Sequence, residues 1–170
     1  MLLPHGMDEH APPERPPSFE DGQNIRDRAF EFACRVVKFC QQLSDGGGVG
    51  RLMVPQLLNC TLSFTTMLEE ARGAESDADF ISKCCISLKE GRESWTRLRV
   101  CKRCHIGRAQ EARELVLEGN ELIAIVTTIV KNKRRNVAAK NRKAQEEKAA
   151  RGAAKNRLSE SVYEFQIPDS

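Results

Sequence analysis

Residues 76–98 read SDADFISKCCISLKEGRESWTRL, and this stretch decides the fold. Ser76 followed by Asp77 and Asp79 is a helix start. A hydroxyl caps free backbone N–H groups, and carboxylates in the first turn complement the positive end of the helix dipole. Ile81, Cys84, Leu88, Gly91, Trp95 and Leu98 then recur at 3-4-3-4-3 steps. That period describes one face of an α-helix and no strand, whose side chains alternate every second residue.

The same period extends in both directions. Upstream, Ile25, Ala29, Phe32, Val36, Phe39 and Leu43 step by 4, 3, 4, 3 and 4, and the stripe stops at Ser44-Asp45-Gly46-Gly47-Gly48. A second helix is expected from about Val49 to Arg72, with Val54, Leu58, Leu62, Thr65 and Leu68 inward. Pro55 is tolerable there only near the start, and Gly73 ends it. Downstream, the third helix breaks near His105-Ile106-Gly107. A fourth begins near Arg108 and carries Leu115, Gly119, Leu122, Val126 and Ile129 inward. Four helices of about 20 to 28 residues with short connections predict an all-α, up-down-up-down four-helix bundle. Its expected span is 24–135. A Pro-rich leader at 1–23 reads as disordered, and 136–170 as a basic, partly helical extension with an acidic tail.

Composition narrows the function. The 170 residues hold one Trp, one Tyr and seven Phe, too few aromatics for a β-sandwich. The longest nearly unbroken apolar stretch, Leu122 to Val130, is far short of the roughly 20 residues a membrane span needs. The start, MLLPHGMDEH, lacks the basic region of a secretory signal, so a cytoplasmic protein with reduced thiols is expected. Net charge is +3, but it is segregated. Residues 1–130 carry 16 cations against 19 carboxylates, whereas 131–157 carry 11 cations against two. A near-neutral body bears a basic arm.

Motifs with possible chemistry have plainer readings. Cys101-Lys102-Arg103-Cys104-His105 matches the c-type haem attachment pattern, but haem requires export and an apolar pocket. Zinc would need a fourth ligand from a distant residue such as Cys84 or from a neighbouring subunit. At i, i+3 near a helix end, the two thiols read as buried or half-buried. Asp45-Gly46-Gly47-Gly48-Val49-Gly50 follows no strand and precedes no Gly-Lys-Ser/Thr, so it reads as a connector. His105 alone of the three histidines lies outside the leader, which leaves no nucleophile–base pair. No enzyme activity, cofactor or metal is expected.

Two charge stripes and the arm remain. Lys89, Arg92, Arg99 and Arg103 follow the apolar stripe of the third helix by one position, and Glu111, Glu114, Glu118 and Glu121 precede that of the fourth. In an antiparallel hairpin these flanks do not face each other. Each is therefore expected to meet something else, and one option is a heterologous subunit contact using Lys89, Arg92 and Arg99 against Glu111, Glu114, Glu118 and Glu121. On the arm, Lys131, Lys133, Arg134, Arg135, Lys140, Arg142 and Lys143 are the candidate phosphate contacts, with Arg92, Arg99 and Arg103 as a second basic surface. The arm has no aromatic residue, so phosphate-led binding with little base reading is expected.

Four segments resemble a known family: RLMVPQLLNCTLSF (51–64), EEARGAESDADF (69–80), KCCISLKEGRESWTRLR (83–99) and NELIAIVTTIVKNKRRN (120–136). They look like the four-helix-bundle proteins encoded by intervening sequences in bacterial 23S ribosomal RNA genes. That family is similar in fold to the accessory variability protein of diversity-generating retroelements. The resemblance implies a non-enzymatic homo-oligomer, a pentameric ring in those relatives, that works with RNA or a reverse transcriptase. A protein–protein adaptor whose arm only assists is the competing expectation. The leader and the long basic extension lie outside the shared core.

Overall fold

The computed structural model describes residues 24–164, with side chains through 153. The expected leader and the end of the acidic tail lie outside the described residues. Four helices follow in order: α1 (Ile25–Gly46), α2 (Gly48–Arg72), α3 (Asp77–Arg103) and α4 (Ala109–Glu164). Each packs against its sequence neighbours, and α1 also meets α4, which closes the bundle. The all-α, up-down-up-down reading therefore stands, and among the described residues there is no strand.

Local chemistry sets the ends. The Asn24 side chain accepts from the Arg26 N–H at 3.2 Å, and Ser76 Oγ accepts from the Asp79 N–H at 3.1 Å. At the end of α3, Ile106 N–H donates to Cys101 C=O across a left-handed His105 (φ 55°), and Ile106 turns onto the core. This is a Schellman stop with its usual apolar contact. Gly107 follows at φ 78°, where a Cβ would come within 2.8 Å of the Phe39 ring, so glycine is required there. Pro55 is the eighth residue of α2, within its first turns as expected. The Arg51 carbonyl that it leaves without an N–H partner belongs to an exposed residue.

The core is one seam. Phe32, Val36, Phe39, Leu57, Phe64, Leu88, Leu98, Leu115, Leu122 and Val126 are all buried. The inward register expected for α2 holds at Thr65 and Leu68 and is corrected by about one position upstream of them. Leu57, Cys60, Thr61, Phe64, Leu68 and Ala71 face the core with Thr65, whereas Leu62 is 46% exposed and Val54 and Leu58 sit at the edge. Thr61 hid this register because it is polar. Its hydroxyl is satisfied in the core by Leu57 C=O at 2.7 Å and by Ser94 Oγ at 2.7 Å. Small residues on α3 then admit the large ones of α2. Ser87 Oγ donates to Phe64 C=O at 2.8 Å, and a Cβ on Gly91 would stand 2.8 Å from the Phe64 ring.

The cysteines divide by depth. Cys40, Cys60, Cys84 and Cys101 are buried and Cys104 is exposed. Burial, with Cys101 and Cys60 nearby, pushes the Cys40 thiol up to about 12, and burial raises Cys60, Cys84 and Cys101 as well. An unfolded chain releases these protons from about 9.0, so above that pH the folded state binds more protons than the unfolded state. Folding stability in urea should therefore be intact below pH 9 and decline from there towards 12, and Cys40→Ala should flatten part of that decline. A midpoint that does not move across this window would contradict the buried assignment.

Candidate nucleic-acid interface

The site is built on α4, which carries opposite charge in its two halves. In the first half, the glutamates face α1. Arg28 donates to both oxygens of Glu118, at 2.7 and 3.0 Å, and its Nη2 also meets Glu121. Arg35 Nη2 donates to Glu114 at 2.9 Å. The Arg28 and Glu118 side chains are only 13% and 12% exposed. The hydrogen bond to Glu118 is the largest influence on Arg28. It raises the guanidinium above its ordinary value against the opposing effect of burial, and Glu121 adds to it. Glu111 is half-buried on the same side.

These contacts change the expectation for the acidic stripe. Glu114, Glu118 and Glu121 are paired inside the chain with cations that α1 supplies. Arg28 and Arg35 were missed by sequence reasoning although the signal was there. They are seven residues apart and each immediately precedes a member of the buried stripe, Ala29 or Val36.

The basic stripe on α3 stays open. Lys89, Arg92, Arg99 and Arg103 are exposed. The Arg99 guanidinium lies 4.5 Å over the Trp95 ring, and Trp95 is anchored by its Nε1–H donating to Val116 C=O at 3.1 Å. Arg99, Lys102, Arg103 and His105 surround a cavity of about 660 Å³ whose apolar side is Val100 and Val116. Cys104 also lines it, whereas Cys101 is buried with its Sγ 3.9 Å from Met53 Sδ. Among the described residues, no three His, Cys, Asp or Glu side chains form a group that could hold a metal ion.

The second half of α4 is the arm. It continues as helix without a break at 135, and from Lys140 to Ala153 every side chain is exposed. The stretch 134–164 reaches about 45 Å at the helical rise. Its candidate cations fall into two groups. Lys133 and Arg134 are held on the bundle. Lys133 Nζ is 2.6 Å from Asp77 and 5.4 Å over the Phe80 ring, and its hydrogen bond holds the Asp77 carboxyl below the usual range. Arg134 Nη2 is 3.3 Å from Cys85 Sγ on α3. Lys131, Arg135, Lys140, Arg142 and Lys143 are exposed, with Arg142 loosely paired to Glu146 at 4.0 Å and Arg135 donating to Asn132. The residues 134–153 hold seven cations against two carboxylates. Around a helix these cations point in all directions and form no single stripe.

No family model matches the chain, and no curated protein matches it. Among solved structures, it is similar to a protein of unknown function from the S23 ribosomal protein family of Bacteroides thetaiotaomicron, at 28% identity and a TM-score of 0.58. The match covers 99% of that chain and 64% of this one, so about a third of this chain has no counterpart there.

The partition on α4 is testable through its most buried pair. Arg28→Met should cost roughly 3 kcal/mol in urea unfolding, because it leaves Glu118 enclosed without a counter-charge. Arg35→Met, whose pair is 37% and 43% exposed, should cost about 0.5 kcal/mol. Equal small losses would show that Arg28 is an ordinary surface pair.

Proposed function

We propose that this chain is a non-enzymatic, homo-oligomeric helical bundle that binds RNA through phosphate contacts. The observation that carries this reading is the projecting cationic helix, solvated on all sides and reaching well past the hydrophobic seam. A helix with no apolar stripe has nothing to bury, and its lysines and arginines can neutralise phosphates and release their counterions. RNA is chosen over other polyanions because the structural neighbour carries a ribosomal family name. Among the described residues no helix is long and apolar enough to cross a membrane.

A separate observation favours self-association. Phe30 is 59% exposed and Leu62 46% exposed, both on the α1–α2 side, one turn after Arg26 and two turns before Glu69, which pair at 3.9 Å. Burying such side chains is worth about 2 kcal/mol each. A second copy seated there would leave the α3–α4 side free for RNA.

Both readings are measurable on the full chain. RNA affinity should fall with salt at a slope of about −4 to −5. Neutralising Arg134, Arg135, Lys140, Arg142 and Lys143 to Gln should make it shallower by about 3. An unchanged slope would remove the arm from the function. In sedimentation, Phe30→Glu with Leu62→Glu should lower the assembly mass while RNA binding per chain persists. An unchanged mass would place the subunit contact elsewhere.

A further inference from the structure

The arm and the α3 stripe are 28 or more residues apart in sequence, yet the structure joins them. Arg134 reaches Cys85, and Cys85 is one turn before Lys89 on the face that continues through Arg92 and Arg99 to Arg103. From Cys85 to Arg103 this face is about 27 Å long. The facing flank of α4 is Arg113, Asn120, Thr127 and Lys131, spaced at helical intervals on the side of Val116 and without a carboxylate. The acidic side chains nearby are drawn away. Those of α4 turn to α1, and Glu93 of α3 takes Arg97, which reaches Gln56 of α2. The result is a cationic track that leads from the arm to the cavity beside Arg99.

The cavity differs from the rest of the track. A solvated arginine is a mobile charge, but Arg99 is held over the Trp95 ring at 4.5 Å, and Trp95 is fixed by its bond to Val116 C=O. Arg99 is exposed and lines the cavity, so the guanidinium face turned away from Trp95 is open. An ordered guanidinium plane is a surface on which an unpaired base stacks. The cavity is an open groove, and Lys102, Arg103 and His105 line it where they can meet a phosphate.

Resting on the RNA-binding reading, we infer that the α3–α4 face is a single-strand track ending in a nucleotide site, where an unpaired base stacks on Arg99 and its phosphate meets Arg103. The arm binds any polyanion; the cavity selects unpaired nucleotides. A duplex, whose bases are already stacked on each other, engages the arm and the track but not the cavity.

The deciding variant is Arg99→Lys, which keeps the charge and removes the plane. A labelled oligoadenylate of about 16 nucleotides and its duplex with oligouridylate are the probes, read by fluorescence anisotropy. Emission of Trp95, the one tryptophan in the chain, is read in parallel. The wild-type chain should bind the single strand more tightly than the duplex, with a change in Trp95 emission for the single strand alone. Arg99→Lys should lose about tenfold on the single strand and stay within about twofold on the duplex. The arm variant should weaken both probes yet keep the single-strand preference. Equal losses on the two probes, or a silent Trp95 while the strand binds, would overturn the nucleotide site and leave phosphate-led binding intact. Displacement of the strand by polyglutamate equally from wild type and Arg99→Lys would assign the face to acidic peptides instead. Failure of the wild-type chain to bind either probe would overturn the RNA-binding reading itself, and this inference with it.

Discussion

Arg28 sits between α1 and α4 with its guanidinium against Glu118 and Glu121, and much of the surface follows from that contact. A carboxylate enclosed at 12% exposure is tolerable only beside a cation held in bidentate geometry. Once α1 supplies that cation, and Arg35 repeats the arrangement at Glu114, the acidic side of α4 is neutralised within the chain. The opposite side of the same helix faces α3, where the basic stripe lies. Charge is therefore sorted across the width of α4 as well as along its length. The net charge of +3 conceals both separations.

Most of the fold could be read from the residues. The starts at Asn24 and Ser76 and the stops at the glycine run, at Gly73 and at His105-Ile106-Gly107 all rest on local chemistry, which a sequence displays directly. The α2 register could not be read the same way. Both of its flanks carry large apolar residues, and the choice between Leu62 and Thr61 is made by Ser94 on another helix. A hydroxyl in a core is legible only when its partner is known. The long apolar stripe of α1 was less ambiguous, since one of its flanks is Arg28, Glu31, Arg35 and Lys38.

The candidate site divides similarly. The two stripes and the arm were visible as spacing, because charge patterns along a helix need no tertiary information. Their partners were not visible. Which flank of α4 meets α1 and which meets α3 depends on the hand in which the bundle winds, and no residue records that. Lys133 was expected to contact phosphate, but the structure ties it to Asp77 at the start of α3. Arg134 likewise belongs to the bundle wall as much as to the arm. The arm therefore springs from a point already aligned with the α3 stripe.

The central claim is that one face of the bundle, α3 with α4, meets the polyanion while the α1–α2 side does not. Lysine acylation of the full chain, with and without RNA and mapped residue by residue by mass spectrometry, tests it most directly. The account predicts that RNA shields Lys89, Lys131, Lys140 and Lys143 and leaves Lys38 on α1 as reactive as in the free protein. Shielding of Lys38 equal to that of Lys89, or shielding confined to the arm with Lys89 untouched, would contradict it.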